Sequence, residues 1–273
     1  MRRPPPERLV LLGHPVAHSR SPQMHNAALA AAGIHARYET LDVPPEHFDS
    51  TVRDLVRQGA AGNVTIPHKE RMYAACATLS PMARRVEAVN TWWVDDGGAL
   101  AGDNTDVGGV HEAVRRLFDA ATIPPNVKVG LLGAGGAAAA VVAAVESWPA
   151  ATVRVYNRTG ARARALCERF SAFAQSTDDA RSLADADLLV NATSIGMRDD
   201  ATPFDAATLG DDARVLDLVY RRGGTPLVRA ARERGLVAAD GLAMLVEQAA
   251  LAFERWFGVT PDRRTMWHAA EGA

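Results

Sequence analysis

A glycine-rich turn near the middle of the chain has the residue types that hold a dinucleotide. Gly133-Ala134-Gly135-Gly136-Ala137-Ala138 follows an apolar segment at 127–132 and precedes an alanine-rich one, which is the strand–turn–helix setting of the dinucleotide fingerprint. The first glycine permits a tight turn, the second lets the backbone approach a pyrophosphate, and the amides at the helix start point at the phosphates. An ordinary glycine-rich turn is the alternative, but the flanking patterns favour nucleotide binding.

The segment after the next strand pattern indicates which nucleotide is bound. Residues 153–156 form that pattern and lead into Asn157-Arg158-Thr159, with Arg162 one helical turn later. An NAD-binding unit usually carries Asp or Glu here to accept hydrogen bonds from the ribose 2′-hydroxyl, and this segment has no carboxylate. Arg158 and Arg162 can instead bind a 2′-phosphate through charge-assisted hydrogen bonds, which favours NADP. The alternative is that both are surface arginines in an arginine-rich chain.

Lysine is rare in this chain, so its positions are informative. Of the 30 basic residues only Lys69 and Lys128 are lysines. A lysine kept in such a chain is a candidate for an amine that must lose a proton, which arginine cannot do in proteins. Lys69 follows a strand pattern and Pro67, at the end of a strand–proline turn.

Strand and helix patterns alternate along the chain and must position these residues. The first third has strand patterns at 9–12, 38–43 and 63–66, helix patterns at 21–32 and 45–57, and a hairpin pattern at 89–102. Ser21 followed by Pro22 is typical of a helix start, with the serine as cap. Further strand patterns lie at 127–132, 153–156, 188–191 and 215–219, and a long helix pattern lies at 242–257. The alternation predicts an α/β fold with largely parallel sheets.

Composition excludes several classes of protein. A length of 273 residues predicts one large domain or two ordinary ones, and 48% apolar with 23% charged residues is the balance of a globular enzyme. The net charge of −2, without blocks of like charge, argues against nucleic-acid and membrane partners. The longest apolar run, at 137–145, falls far short of the roughly 20 residues that cross a bilayer. A cytoplasmic enzyme is therefore expected.

The cysteines and histidines do not indicate a metal site. Cys76 and Cys167 lie far apart in unrelated contexts, which argues against a disulfide scaffold and a thiolate site. His14, His18 and His25 have no acidic or cysteine partner, so we expect structural histidines and no metal.

Eight motifs stand out in order along the chain. They are GHPVAHSRSP at 13–22, NVTIPHK at 63–69, AVNT at 88–91, GDNTD at 102–106, the glycine fingerprint at 133–138, NRT at 157–159, NATSIGM at 191–197 and DGLAML at 240–245. In this order they resemble the shikimate dehydrogenase family, and the resemblance covers about residues 13–248. The family reduces 3-dehydroshikimate to shikimate with NADPH on the way to the aromatic amino acids.

The resemblance implies an α/β protein of two domains. Residues 1–105, completed by 241–273, are expected to form an N-terminal α/β substrate domain to which the C-terminal helices return. Residues 106–240 are expected to form a Rossmann-type, doubly wound NADP domain, with the active site in the cleft. The only implied partner is a small molecule, shikimate or 3-dehydroshikimate, bound by a monomer or homodimer.

The resemblance also implies two catalytic residues. Lys69 corresponds to the family's catalytic lysine, which exchanges a proton with the reacting oxygen. Asp106 corresponds to the aspartate that pairs with that lysine and hydrogen-bonds a substrate hydroxyl. A solvated helix lysine and a helix N-cap are the plain alternatives for the two positions.

Seven further positions resemble the family's substrate contacts. Ser19 and Ser21 match the pair that binds the substrate carboxylate, and Tyr220 matches the tyrosine that reaches this carboxylate from the nucleotide domain. The ring-hydroxyl binders correspond to Asn63, Thr65, Asn90 and Gln248, which are neutral donors and acceptors suited to a triol acid. A helix cap is the alternative for Ser21, and an ordinary exposed glutamine is the alternative for Gln248.

The implied cofactor contacts lie on turns that follow the strand patterns of the second domain. Gly241 is expected near the nicotinamide ring, although a glycine that merely starts a helix would look the same. The full set is Gly133, Ala134, Gly135, Gly136, Ala137, Asn157, Arg158, Thr159, Arg162, Thr193, Met197, Val219 and Gly241.

Two rival functions remain open at this stage. A quinate/shikimate dehydrogenase of broader substrate and cofactor range is expected, in its NAD-using forms, to carry an acidic residue near Asn157. A nucleotide-sensing regulator that keeps the fold without turnover is expected to have lost Lys69 or Asp106. Departures from the family pattern are small: Val107 precedes Gly108 where glycine often comes first, Ala243 replaces a common glycine, and His68 precedes the lysine.

Overall fold

Two six-stranded sheets, one in each of two units, carry the fold. The computed structural model describes residues 4–272; the first unit runs to Gly108 and resumes at Leu245, and the second is Gly109–Met244. The sequence predicts domain limits at 105/106 and 240/241. The predicted substrate domain also includes residues 1–3 and 273, which lie outside the described residues.

The first sheet gathers several strand ends at one edge. Its elements and the helices around them are β1 (Arg8–Gly13), α1 (Ser21–Ala31), β2 (Arg37–Asp42), α2 (Phe48–Arg57), β3 (Ala61–Val64), α3 (Lys69–Ala75), β4 (Thr78–Leu79), α4 (Pro81–Val86), β5 (Thr91–Val94), β6 (Leu100–Asp103) and α5 (Asp106–Leu117). The strand order is β2-β1-β3-β5-β6-β4, and β5 runs antiparallel to both of its neighbours while the other pairs are parallel. The carboxyl ends of β1, β3 and β6 therefore lie at the same edge as the start of β5.

The second sheet is parallel throughout its described strand pairs. Its elements are β7 (Lys128–Leu132), α6 (Gly136–Val145), β8 (Thr152–Tyr156), α7 (Gly160–Glu168), β9 (Ala174–Thr177), β10 (Leu188–Asn191), β11 (Arg214–Asp217), α8 (Pro226–Glu233) and β12 (Val237–Asp240). The order is β12-β11-β10-β7-β8-β9, so the chain adds β8 and β9 on one side of β7 and then crosses to the other. The topological switch point lies between β7 and β10. This is the doubly wound Rossmann order, and the predicted α/β fold class is confirmed.

The last two helices, α9 (Leu242–Phe257) and α10 (Arg263–Glu271), return to the first unit. Arg255 of α9 forms an ion pair with Asp103 at the end of β6, at 2.7 Å. The helix α10 packs against α1, where Arg20 donates to the Ala270 carbonyl at 3.0 Å. Among residues 4–272 no helix is both long enough and apolar enough to span a bilayer.

Burial explains why the strands of the second unit are so apolar. The strands β7, β10 and β11 are buried along almost their whole length, as central strands of a parallel sheet are. Residues 138–145 of α6 are also all buried, which explains the continuous alanine and valine sequence of that helix. Its small side chains let it lie close to its neighbours.

The start of α1 differs from the sequence prediction. The Ser-Pro pair predicts Ser21 as the cap, but in the structure Ser21 is the first helical residue and Arg20 occupies the cap position. The Ser21 amide donates to the Ser19 hydroxyl at 3.2 Å, so a neighbouring serine satisfies one of the free amides of the first turn. The sequence also did not predict β4, β9 or β12, because these three short strands lie at sheet edges and have at most one buried residue each, so they lack the apolar pattern of the central strands.

Candidate active site and cofactor site

An ion pair between Lys69 and Asp106 lies at the carboxyl edge of the first sheet. Lys69 is the first residue of α3, after β3, and Asp106 is the first residue of α5, after β6. The Lys69 Nζ donates to Asp106 Oδ2 at 2.6 Å, and the two side chains are only 14% and 6% exposed. With so little water around them, the two charges attract each other more strongly than at a surface. The pair therefore holds the lysine amine in one place.

Asn90, directly before β5, satisfies the second carboxylate oxygen of Asp106. Its Nδ2 lies 2.8 Å from Asp106 Oδ1, 3.0 Å from Thr105 Oγ1 and 3.3 Å from Gln248 Oε1. Its Oδ1 accepts from the Thr105 backbone N–H at 2.7 Å. Since an amide nitrogen carries two hydrogens, the bond to the carboxylate leaves one donor for the two neutral oxygens. Asn90 thereby joins the start of β5 to the β6–α5 turn and to α9.

Asn63, the third residue of β3, belongs to the same network. Its Nδ2 donates to the Asn90 carbonyl at 3.1 Å and to Thr91 Oγ1 at 3.0 Å. Its Oδ1 accepts from the Tyr38 hydroxyl at 2.8 Å. Because each polar atom of this buried amide has a partner, its orientation is fixed. Gln248 is likewise buried, so it is not the ordinary exposed glutamine of the alternative interpretation.

Ser19, Ser21 and Thr65 lie on the segments that follow β1 and β3 at this edge. Ser19 and Thr65 are half-buried and Ser21 is buried. Gly13, the last residue of β1, allows the two segments to approach, because a Cβ there would lie 2.5 Å from Thr65 Cγ2. Three hydroxyl groups are thus placed at the edge that carries the ion pair.

Sequence reasoning missed three hydroxyl groups of the network around Asn90 and Asn63. The hydroxyls of Thr91 and Thr105 lie 3.0 Å apart, and both residues stand beside predicted site residues in the motifs, which was an available signal. Tyr38 had no such signal. Its position beside Asn63 follows only from the order of β1, β2 and β3 in the sheet.

His25 is a buried, neutral side chain of the first unit. Its ring stacks on Tyr38 with centroids 4.3 Å apart, and neither ring nitrogen has a hydrogen-bond partner among the described residues. Burial lowers the pKa of His25 to about 3. Across residues 4–272 no group of three or more His, Cys, Asp or Glu side chains is placed to hold a metal ion.

Two glycines of the turn in the second unit, Gly133 and Gly135, differ in backbone conformation and in the space around them. Gly133 follows β7 with a φ of 111°, and a Cβ there would lie 3.0 Å from the Ala192 carbonyl oxygen. Gly135, just before α6, has an extended backbone, and a Cβ there would meet no described atom within 4 Å. Gly133 is therefore required by the fold itself, whereas Gly135 leaves open space at the N-terminus of a helix, where phosphates bind.

Two arginines lie beyond the carboxyl end of β8. Arg158 and Arg162 are exposed, and neither guanidinium forms a hydrogen bond or ion pair with any described residue. Asn157, which begins the same turn, donates through Nδ2 to the Thr159 carbonyl at 2.9 Å. The turn thus offers two free cations and no carboxylate, as a 2′-phosphate requires.

On the other side of the switch point, a buried carboxylate connects the ends of β10 and β11. Asp217 is fully buried; its Oδ1 accepts from Asn191 Nδ2 at 2.8 Å and from the Val219 amide at 3.1 Å. Its Oδ2 accepts from the Thr225 hydroxyl at 2.7 Å. Burial raises the pKa of the Asp217 carboxyl, and these donors oppose the rise. No motif of the sequence indicated a role for the side chains of Asp217, Asn191 or Thr225.

The remaining predicted cofactor residues lie near these strand ends. Thr193 donates to Asn191 Oδ1 at 2.7 Å, Val219 is buried, and Met197 is 45% exposed. A Cβ on Gly241 would lie 2.2 Å from the Leu218 carbonyl oxygen, so close approach of two backbone segments accounts for this glycine. Tyr220 is half-buried and belongs to the second unit.

Matches to known protein families cover most of the chain. The second unit has a Rossmann-type dinucleotide-binding fold, and the first is an α/β unit with a buried lysine–aspartate pair. Residues 11–92 match the family "Shikimate dehydrogenase substrate binding domain", residues 119–197 match "Shikimate / quinate 5-dehydrogenase", and residues 241–271 match "Shikimate 5'-dehydrogenase C-terminal domain".

Relatives extend the match to nearly the full length. A shikimate dehydrogenase (NADP(+)) of Chelativorans sp. is 45% identical over 261 residues, 93% of this chain and 92% of the relative. The solved shikimate 5-dehydrogenase of Thermus thermophilus, in complex with NADP(H) and shikimate, superposes with a TM-score of 0.87 at 39% identity, covering 97% of this chain and 98% of that one. A quinate dehydrogenase of Corynebacterium glutamicum in complex with NAD has a TM-score of 0.87 at 29% identity, covering 98% and 99%. The chain belongs to the shikimate dehydrogenase family, and the resemblance inferred from its motifs is confirmed.

The two glycines of the turn should respond differently to the same substitution. Gly133→Ala forces a Cβ against the Ala192 carbonyl at a φ of 111°, so we expect it to destabilise the protein by about 1–3 kcal/mol. Gly135→Ala adds a methyl group in open space on extended backbone, and the stiffer unfolded chain offsets the poorer capping of α6 by alanine, so stability should change by less than about 1 kcal/mol. Thermal unfolding of the two variants without ligand tests this. Equal midpoints would contradict the close approach at Gly133.

Proposed function

We propose that the protein catalyses the reversible, NADPH-dependent reduction of 3-dehydroshikimate to shikimate. The observation that carries the proposal is the buried Lys69–Asp106 pair, held by Asn90 at an edge lined with neutral polar side chains. A cyclic acid with several hydroxyls needs such neutral donors and acceptors. Membership of the shikimate dehydrogenase family supports the assignment.

Lys69 exchanges the proton in this mechanism. When bound, NADPH supplies a hydride to the carbonyl carbon of the substrate. Negative charge then develops on the carbonyl oxygen, and Lys69 Nζ donates the proton that converts it to a hydroxyl. The lysine recovers its proton from solvent, and in the reverse direction the neutral amine takes the hydroxyl proton. Asp106 orients the amine through its Oδ2 and accepts a hydrogen bond from a substrate hydroxyl.

The substrate is held by neutral side chains in this proposal. Ser19 and Ser21 bind the carboxylate, and Tyr220 belongs to the proposed substrate residues on the family resemblance alone. The ring hydroxyls are bound by three amides and one hydroxyl that lie in β3, directly after β3, directly before β5 and on α9, namely Asn63, Thr65, Asn90 and Gln248. Support comes from the network that already orients three of these amides beside the ion pair.

The nucleotide is held by the turns at the carboxyl edge of the second sheet. The open space beside Gly135 suits a pyrophosphate, and the free guanidinium groups of Arg158 and Arg162 suit a 2′-phosphate. The full proposed set is Gly133, Ala134, Gly135, Gly136, Ala137, Asn157, Arg158, Thr159, Arg162, Thr193, Met197, Val219 and Gly241. The domain limits predicted from the sequence, a cytoplasmic location and a monomeric or homodimeric state are parts of the same proposal.

A spectrophotometric assay of NADPH formation tests the function. Shikimate with NADP should be turned over, whereas quinate should react roughly 5- to 150-fold less efficiently, because its extra hydroxyl must lose water without a partner at a cost of about 1–3 kcal/mol. Comparable kcat/KM values for the two acids would favour the quinate/shikimate alternative. NADP binding without turnover of either acid would favour the nucleotide-sensing alternative.

The proton-exchange role of Lys69 makes a specific kinetic prediction. Lys69→Ala should lower kcat by roughly 10²–10⁴-fold with a much smaller change in the KM for shikimate. Lys69→Arg keeps the charge but cannot release a proton, so we expect nearly the same loss. Lys128→Arg, at the only other lysine, is the matched control and should retain wild-type kcat. If arginine at position 69 restores most of kcat, the residue works through its charge alone.

Arg158 should determine the preference for NADP. Arg158→Ala removes a charge-assisted contact to the 2′-phosphate, so kcat/KM with NADP should fall roughly 10- to 150-fold, while kcat/KM with NAD should barely change. Arg116→Ala removes an exposed arginine from the last turn of α5 and serves as the charge-matched control. Equal losses with both cofactors would mean that Arg158 supports the fold rather than the 2′-phosphate.

A further inference from the structure

Keeping the Asp217 carboxylate buried lowers the stability of the folded protein. Its carboxylate is fully buried, and no described lysine or arginine forms a salt bridge with it. A buried carboxylate without a cation costs free energy even when neutral donors surround it. Two of those donors, the side chains of Asn191 and Thr225, are themselves fully buried. This arrangement calls for a reason beyond packing.

Every hydrogen bond of the Asp217 carboxylate leads to a segment of the proposed cofactor site or to the start of α8. Through Asn191 it reaches Thr193, whose amide and hydroxyl both donate to Asn191 Oδ1, at 3.0 and 2.7 Å. Directly it holds the Val219 amide, and the Val219 carbonyl in turn accepts from the Gly241 amide at 3.0 Å.

The third contact fixes the start of α8. The Thr225 hydroxyl donates to Asp217 Oδ2 and accepts from the Val228 amide at 3.2 Å, which caps the helix. The strand end, the two following turns and a helix start therefore depend on one carboxylate.

The topology indicates which half of the nucleotide these segments face. A dinucleotide lies across the switch point of a doubly wound sheet. Arg158 and Arg162 follow β8 on one side of β7, whereas Thr193 and Val219 follow β10 and β11 on the other. If the adenosine 2′-phosphate lies by the arginines, the nicotinamide half lies by Thr193 and Val219.

We propose that Asp217 is a positioning residue for the nicotinamide half of the cofactor, because its carboxylate sets the Asn191–Thr193 turn and the Val219 backbone at the ends of β10 and β11. The role rests on the proposed function, since it assumes that the second unit binds NADPH. Asp217 touches no ligand itself. It acts only through the segments that it holds.

Two probes separate the halves of the site. NADPH occupies both halves, whereas adenosine 2′,5′-bisphosphate occupies only the half by the arginines. Asp217→Ala should raise the dissociation constant of NADPH about tenfold, the loss of one well-placed hydrogen bond, and leave that of the bisphosphate within about twofold. Isothermal titration gives both constants, and thermal unfolding gives the stability of each variant.

Asp217→Asn is a second, milder variant that keeps the test usable when Asp217→Ala does not fold. It keeps an oxygen for Asn191 and Val219 but gives up the charge and the acceptor for Thr225, so the same selective loss should appear at smaller size. The matched control is Asp187→Asn, which removes a carboxylate that accepts from the Lys128 amide at the opposite edge of the same sheet. It should leave both constants unchanged.

Three results would overturn the role. Unchanged NADPH affinity with a lower unfolding midpoint means that Asp217 only stabilises the fold. Equal losses for NADPH and the bisphosphate mean that the whole nucleotide site is distorted. Wild-type protein that binds neither probe overturns the proposed function, and the positioning role with it, and this outcome is distinguishable from the other two.

Discussion

A carboxylate and an ammonium can share a buried position only where their remaining polar atoms also find partners. In this protein Lys69 takes one oxygen of Asp106 and Asn90 takes the other. That requirement fixes the side chain of Asn90. Asn90 in turn orients Thr105 and Gln248, because its Oδ1 accepts from the Thr105 amide and its Nδ2 also lies near Gln248 Oε1. The edge of the first sheet is arranged around this one pair.

The sheet makes the arrangement possible through a single reversed strand. Because β5 runs against β3 and β6, its beginning lies beside their ends. Asn90, just before β5, therefore meets the β6–α5 turn that carries Asp106, while Lys69 follows β3. In an all-parallel sheet the segment before β5 would lie at the opposite edge. The antiparallel strand thus brings three segments distant in sequence to one point.

Much of this could be predicted from the sequence, and the failures have physical causes. The strand–helix alternation predicted the fold class, and the scarcity of lysine singled out Lys69. The start of α1 was missed by one residue, because Ser19 rather than Ser21 supplies the accepting hydroxyl. The Tyr38–Asn63 and Asp217–Asn191 contacts could not be predicted, since they join residues on different strands and depend on the order and register of the sheets. Local patterns predict elements, whereas networks of side chains need the topology.

Two of the buried aspartates, Asp106 and Asp217, have different roles because their partners differ. Each is bonded by an asparagine from the segment beside it, Asn90 for Asp106 and Asn191 for Asp217. Only Asp106 has a cation, and that cation keeps 14% of its side chain exposed, so a proton can move between the lysine and a ligand. Asp217 has neutral donors and no exposure, and burial without a cation raises the pKa of its carboxyl. It has no route to a ligand, and what it can do is hold backbone in place. We therefore expect the chemistry at Asp106, whose charge is paired with a partly exposed lysine. We expect the positioning role at Asp217, whose carboxylate is fully buried.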